Sequence, residues 1–491
     1  MLFICHLCFQ HYSIIYASLF LTLGLPTSIY SLLYISINIT CKHQNHTTQT
    51  PLQYCNKMKN IELDIISKEI IKPSSPTPNN LSHYQLSFLD QVSPMVYNPL
   101  VLFYSSNGSP KFNTSTISNN LKKSLSHVLT YYYPLGGRIN GRDFIDCNDE
   151  GIPYIETKVK CKVIDVINNP MPRELNHLVP FQLDDVNDVI FGVQFNVFEC
   201  GGVAIGACLS HQIGDALSFF TFLNTWANIA NGSKQDVLPN PHLISAKLFP
   251  PQNASGFDPR CGIIKENIIC KRFVFNASVI EELRAKYSDE TLNEKPPTRV
   301  EALSAFIWNR YVAVTSEQYE SDEKKKVHVI VHAVNLRQKM EPSLPSNSFG
   351  NYYRFSMTII PSFNNNGDEY HGFVKQVREE IKKIDKDYIR KITYGNEHLE
   401  FLKNSSNRVL VKRELVSFQF TSLCKFPLYD ADFGLGKPTW VGSPSLTFKN
   451  LVVFVDTKNG CGIEAYIHLM VEDMAKFEVD KELVQCLEKS T

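Results

Sequence analysis

The stretch FGVQFNVFECGGVAIGACLSHQIGDALSFFTFLNTWANIA, residues 191–230, constrains the fold more than any other part of the chain. Two apolar runs meet at Gly201-Gly202 and read as neighbouring strands joined by a turn. The second run ends at Ser210 and His211, and Gly214 permits a tight entry into a helix. Along that helix Ala216, Phe219, Phe220, Leu223, Trp226 and Ala227 recur at helical spacing, a stripe expected to pack in the core.

The same alternation of patterns runs on without internal repeats. Ile117, Leu121, Leu125, Val128 and Leu129 predict a helix that Ser115 or Thr116 would cap. IDCNDEGIPYIETKV reads as a hairpin around 148–151. After a segment rich in Pro, Asn and Gly, CKRFVFN predicts a strand, and a helix follows from about Ser278. TRVEALSAFIWNRYVAV reads as a second helix, VHVIVHAVNLR and SFGNYYRFSMTII as strands, and LVVFVDTKNGCGIEAYIHLMV as a hairpin turning at 458–460. Mixed strands and helices in two similar halves of a 491-residue chain predict a two-domain α/β protein. The expected division is a domain over 58–235, a crossover linker over 236–265 and a second domain over 266–491.

Composition narrows the function. Lys plus Arg equals Asp plus Glu at 49 each, so no net charge draws the chain to nucleic acid. The longest basic run, Lys324 to Lys326, adjoins Asp322 and Glu323 and reads as a solvated loop. Thirteen cysteines at irregular spacing do not form a disulfide framework, which points to a reducing compartment.

Residues 1–57 stand apart, because residues 1–41 contain no Asp, Glu, Lys or Arg. Gly24 and Pro26 divide the apolar stretch into halves shorter than the roughly 20 residues that span a bilayer, and no positive segment marks a signal peptide. Met58 opens a stretch that reads like the start of a soluble protein. Residues 1–57 are therefore expected to be an extension outside the folded protein, for which a mis-assigned start is one origin, with a membrane anchor as the alternative. Of Cys5, Cys8, Cys41, His43, His46 and Cys55, only the first two have metal-ligand spacing, and no metal is expected.

There is no G-x-x-x-x-G-K-[ST] loop, H-E-x-x-H or G-x-S-x-G elbow, and the glycines near 201–206 do not match a dinucleotide fingerprint. DFGLGKP at 432–438 lacks the partner motifs of a kinase. What remains is His211 at the strand-to-helix corner, with Asp215 one helical turn on. A neutral imidazole there suits general-base work near pH 7. Asp215 could orient it or turn away to an arginine, and an isolated H-x-x-x-D is a weak signal that an ordinary structural corner explains better.

Five segments in order change that balance: YYYPLGGR (131–138), HQIGDA (211–216), PTRVEALSAFIW (297–308), VNLRQKMEPSLP (334–345) and YDADFGLGKP (429–438). Together they resemble the BAHD family of plant acyl-CoA-dependent acyltransferases over residues 58–491. IKPSSPTP (71–78) and FECGG (198–202) are similar to the branch that contains vinorine synthase and other indole-alkaloid O-acetyltransferases.

The resemblance implies two mixed-sheet domains with flanking helices, chloramphenicol-acetyltransferase-like, joined by a long crossover, with the active-site channel between them. It implies His211 as the base that deprotonates an acceptor hydroxyl attacking acyl-CoA, with no covalent intermediate, bound cofactor or metal. Asp215 becomes a structural brace, with Arg299 of TRVEAL as its partner. Asp432, Phe433, Gly434 and Gly436 lie away from the reacting atoms and shape the domain interface and the CoA mouth, and Asn335, Arg337, Gly350 and Asn351 lie towards CoA, with a structural salt bridge as the equal alternative for Arg337. A soluble cytoplasmic monomer is implied, membrane-associated only if residues 1–57 anchor it, acting on a small-molecule alcohol such as a monoterpenoid indole alkaloid; the alternative acceptor is a terpenoid or phenolic alcohol.

Two positions depart from the family pattern. Leu435 stands in DFGLG, and Leu423 in FTSLC, where relatives carry tryptophan. An indole N–H near the second position helps hold the oxyanion in some relatives, and loss of one such donor costs about 10²–10³ in rate. Thr421, Ser422 or a backbone N–H would have to substitute. These departures leave open a weaker enzyme, a reshaped acceptor pocket, or a paralogue that binds CoA or alkaloid without catalysis.

Overall fold

Two six-stranded mixed sheets, each faced by helices, carry the chain. The computed structural model describes residues 60–490 apart from 107–112, 234–239, 255–256, 261–262, 264–266, 289–294, 317–326, 361–371 and 395–414. The expectations for residues 1–57, both extension and anchor, therefore fall outside the described residues. Among the described residues no helix is long and apolar enough to cross a membrane.

The first sheet runs in the order Leu63–Ile71, Ile152–Val159, Phe191–Phe198, Val203–Ser210, Tyr97–Tyr104, Trp440–Gly442. The strands 191–198 and 203–210 pair antiparallel about Gly201, whose φ of 76° suits the turn. Both are buried almost end to end, which is why they read as continuous apolar runs rather than alternating ones. The helices Thr114–Tyr131 and Ala216–Ala230 cover one face, with Leu121, Leu125, Phe222 and Trp226 in the same core as Ile205 and Leu209. The Trp226 indole donates to Ser124 Oγ at 3.0 Å and meets Phe433 edge-on at 4.7 Å.

The second sheet has the order Tyr353–Ile360, Val327–Asn335, Leu415–Ser422, Leu451–Asp456, Ile463–Met470, Ile268–Phe275. Helices Ala277–Lys286, Arg299–Ser316 and Val471–Phe477 pack on one face with Phe418, Phe420 and Phe454. The hairpin 451–456/463–470 turns through Gly460 at φ 72°. Although Trp440–Gly442 lies late in sequence, it adds the edge strand to the first sheet by pairing with Tyr97–Tyr104. This return stitches the C-terminal half of the chain to the first sheet.

Two local expectations need correction. The helix 114–131 is capped by Asn113, whose side chain accepts the Thr116 N–H at 3.0 Å, and not by Ser115 or Thr116. Starting the helix earlier gives both of those residues helical backbone. The segment around 148–151 is not a hairpin. Phe144–Asp146 joins a three-stranded sheet with His83–Gln85 and Arg138–Asn140, while Ile152–Val159 enters the first sheet. Asp149 and Gly151, at φ 55° and 85°, reverse the chain as turn residues should. Turn chemistry fixes a change of direction, not the strand that lies next door.

Candidate active site

His211 stands where the strand Val203–Ser210 gives way to the helix Ala216–Ala230, a corner tied down at several points. The His211 N–H donates to the Val96 carbonyl at 2.9 Å, the Ile213 N–H to Ser210 at 3.2 Å, and the Asp215 N–H to Gly350 at 3.3 Å. Gly214 serves by its size: a Cβ there would sit 3.2 Å from Ser218 Cβ and 3.3 Å from Leu209 Cδ2. The corner therefore holds the imidazole rigidly at the wall of a cavity of about 230 Å³, lined by both sheets.

Asp215 turns away from the imidazole. It caps the helix by accepting the Ser218 N–H at 3.0 Å and forms a two-pronged ion pair with Arg337, Nη1 to Oδ2 at 2.7 Å and Nη2 to Oδ1 at 2.9 Å. The Tyr352 N–H adds a further donor at 3.0 Å. Burial alone would raise this carboxyl, but the charge and hydrogen bonds of Arg337, with the Ser218 and Tyr352 donors, hold it below the ordinary aspartate range. Arg337 is only 2% exposed, lies over the Tyr352 ring at 4.7 Å and donates to Ser218 Oγ and the Ser348 carbonyl.

This arrangement corrects the partner expected from sequence. Arg299 is not the partner of Asp215; its Nη2 binds Asp456 at 2.8 Å and its Nη1 binds the Gly460 carbonyl, beside the hairpin of the second sheet. TRVEAL begins a helix, so Arg299 faces that helix's own neighbours. Arg337 belongs to NLR, just after the strand Val327–Asn335, whose end delivers it to the corner. Sequence leaves Arg337 open between the CoA side and a structural salt bridge, and the structure shows the salt bridge, to Asp215.

The segment after it also serves the histidine. Asn351 is fully buried, and its Nδ2 donates to the His211 carbonyl at 2.8 Å and to Asp90 Oδ1 at 2.9 Å. Both are pure acceptors, so the amide orientation is fixed and Asn351 Oδ1 faces His211 Nδ1 at 3.2 Å. Nδ1 must then carry the proton, leaving Nε2 bare. Gly350 adopts φ 145°, and a Cβ there would lie 2.8 Å from Ser245 Cβ; its carbonyl accepts from Ser218 Oγ at 2.8 Å. Asn351 and Gly350 are thus engaged with the histidine and its corner. Asn335 lines the cavity, although its Oδ1 is occupied by the Arg337 N–H at 3.0 Å.

Burial lowers the His211 imidazole below its usual value near 6.5, against the opposing pull of backbone carbonyls, the Asp215 charge and Asn351. The ring is thus neutral at pH 7. Tyr353 lies beside it with ring centroids 5.3 Å apart.

Across the cavity stand the two hydroxyl candidates, Thr421 and Ser422. Phe418 and Phe420 belong to the helix-covered core, so Gln419 and Thr421 project the other way. Thr421 and Ser422 both line the cavity, but Ser422 Oγ already accepts the Cys424 N–H at 3.3 Å. Leu423 also lines it and supplies apolar surface where an indole was expected.

The DFGLG segment does not line the cavity. Asp432 Oδ1 accepts the Gly434 and Gly436 N–H groups, each at 2.9 Å, and both glycines have positive φ, 84° and 82°. Phe433 is buried against Trp226 and Tyr104, and Leu435 packs on the same core. Sequence reasoning missed Asp90, Ser218, Tyr352 and Tyr353, and did not foresee the contacts that Gly350 and Asn351 make with the histidine and its corner. NLR and SFGNY did signal that their segments mattered.

Comparison with known proteins bears on the family and the fold. The model of the Transferase family matches residues 61–484. Stemmadenine O-acetyltransferase from Catharanthus roseus is 36% identical over 429 residues, 85% of this chain and 97% of that protein. Limonoid 21-O-acetyltransferase from Melia azedarach is 36% identical over 86% of this chain and 98% of that protein. The crystal structure of vinorine synthase superposes with a TM-score of 0.73 at 33% identity, covering 87% of this chain and 98% of that one. With two mixed sheets, the H-x-x-x-D corner at their shared cavity and the family model over nearly all the described chain, the protein belongs to the Transferase family of BAHD acyltransferases.

Proposed function

We propose that the protein transfers an acyl group, acetyl in the first instance, from acyl-CoA to a hydroxyl of an apolar polycyclic specialised metabolite, with His211 as general base. The observation that carries this reading is the bare Nε2 of His211, set by the Asn351 contact to Nδ1 at 3.2 Å, on a ring at the cavity wall. Nε2 takes the proton of the acceptor hydroxyl as that oxygen attacks the thioester carbonyl. The tetrahedral intermediate carries its negative charge on the former carbonyl oxygen, and Thr421 is the hydroxyl best placed to donate to it. Collapse breaks the C–S bond, releasing the ester and CoA thiolate, and the imidazolium returns the proton to the thiolate. A thiolate leaves readily, so the step needs no covalent acyl-enzyme.

The cavity wall fits a rigid apolar acceptor. Leu100, Phe220, Phe355, Phe426, Phe448 and Val453 provide most of its character. The ionisable side chains among its described lining residues, besides His211 and Tyr353, are Asp215 and Arg337, which neutralise each other. A monoterpenoid indole alkaloid is the first candidate, in line with stemmadenine O-acetyltransferase. A limonoid-type terpenoid alcohol is the second reading, favoured by an equally similar relative and by the lack of an unpaired carboxylate in that lining.

Purified protein incubated with acetyl-CoA and paired panels of hydroxylated indole alkaloids and limonoids tests the reading. Thiol release matched by an acetylated product from one panel is the expected result. Saturable binding of either class with no thiol release would instead establish a binding protein that has lost catalysis.

A further inference from the structure

Behind Asn351 lies a second buried aspartate that the proposed reaction does not use. Asp90 stands in the short helix Phe88–Gln91, where it and Ser87 form a reciprocal capping box. Its two oxygens have separate neighbours. Oδ2 accepts from the Ser87 N–H at 2.9 Å, the Ser87 hydroxyl at 2.6 Å and the Ser245 hydroxyl at 3.3 Å. Oδ1 faces the other way and accepts from Asn351 twice, from the backbone N–H at 3.1 Å and from Nδ2 at 2.9 Å.

The capping box accounts for Oδ2 but not for Oδ1. Asp90 is 1% exposed, and burial raises its carboxyl to about 6 even though Ser87 and Asn351 donate to it. At neutral pH it is ionised, with no cation among its described partners, an arrangement that burial disfavours. A carboxylate has one property that a neutral amide lacks: neither oxygen can donate. Facing Asp90, which joins the His211 carbonyl in accepting from Nδ2, Asn351 can present only its NH2 there, and its oxygen is thereby turned to His211 Nδ1. With the amide reversed, its NH2 would require Nδ1 to be the acceptor and would place the proton on Nε2, where the base must be bare.

We propose that Asp90 is a positioning residue that, through Asn351, fixes the Nδ1–H tautomer of His211 and keeps Nε2 free. The inference rests on His211 as the base, but the tautomer is measurable without turnover.

Protein labelled with ¹⁵N-histidine distinguishes a protonated ring nitrogen from a bare one, and the His211 signals are those lost in His211→Ala. At pH 8 the unaltered protein is expected to show His211 protonated at Nδ1. In Asp90→Ala the Nε2–H form should appear, and kcat should fall by about 10²-fold, within what a misdirected general base costs, at unchanged KM for acetyl-CoA. Asp90→Asn retains one acceptor oxygen and should lie between the two; it carries the test if Asp90→Ala does not fold. A folded variant with both the tautomer and kcat of the unaltered protein overturns the proposal. A lowered melting temperature with tautomer and kcat intact also overturns it, because Asp90 would then be structural only. If the unaltered protein transfers no acyl group, the acyl-transfer reading fails, while the tautomer comparison still decides for or against Asp90.

Discussion

Two buried aspartates flank the same histidine, and their partners give them opposite characters. Asp215 meets a guanidinium, and its carboxyl is held below the ordinary range. Asp90 meets hydroxyls and amides, and its carboxyl is raised to about 6. Both bind the 350–352 segment, Asp215 through the Tyr352 N–H and Asp90 through Asn351. Burial pushes both carboxyls up, and here only the one with a buried cation at hydrogen-bond distance escapes the push. The difference separates two tasks: Asp215 with Arg337 locks the corner in place, whereas Asp90 sets how Asn351 faces the imidazole.

Removing the cation should have the largest effect on stability. Arg337→Ala leaves Asp215 buried and unpaired, and a loss of about 3–5 kcal/mol is expected in denaturant unfolding. A loss under about 1 kcal/mol would show that the corner does not depend on the pair.

The next effect separates the two aspartates by pH. A carboxyl whose folded value is depressed, as in Asp215, contributes stability that is present above the unfolded value and lost as pH falls through the folded one. A raised carboxyl behaves oppositely: the Asp90 contribution is complete below about 3.8 and lost as pH rises through about 6. At ~1.4 kcal/mol per unit, that difference is on the order of 3 kcal/mol. Asp90→Asn carries no such titration. Its stability relative to the unaltered protein should therefore improve steadily between pH 4 and pH 7, as read by urea midpoints. A constant difference across that range would mean Asp90 is not raised.

Arg299 marks the small end of the series. Its pair with Asp456 keeps side-chain exposures of 25% and 16%, and Arg299→Ala should cost about 1 kcal/mol or less, with kcat unchanged. A loss of activity at full stability would return Arg299 to the site.

Much of the fold was legible in the sequence. Long apolar runs at 191–198 and 203–210 and the helical stripe from Ala216 carried their own periodicity, and the five ordered motifs carried the family. The partner of Asp215 was not legible, because Arg299 and Arg337 are equally plausible donors on paper and only the path of the second sheet chooses between them. Asp90 was hidden for a similar reason. Ser87-x-x-Asp90 reads as a helix start, and nothing local says that its second oxygen points at Asn351. The Leu423 departure was visible, but whether Thr421 faces the cavity depends on which side of its strand the helices cover.

The central claim is that a neutral His211 takes the acceptor's proton, and the pH dependence of kcat/KM for acetyl transfer tests it most directly. With an accepted alcohol, the unaltered protein should hold a plateau at pH 7–8 and lose rate on the acid side with a midpoint below 6.5, where the buried imidazole takes up its proton. His211→Ala, folded to the same melting temperature, should fall by ~10²–10⁴-fold and lose that acid limb. A His211→Ala protein that keeps both its rate and its acid limb would contradict the account.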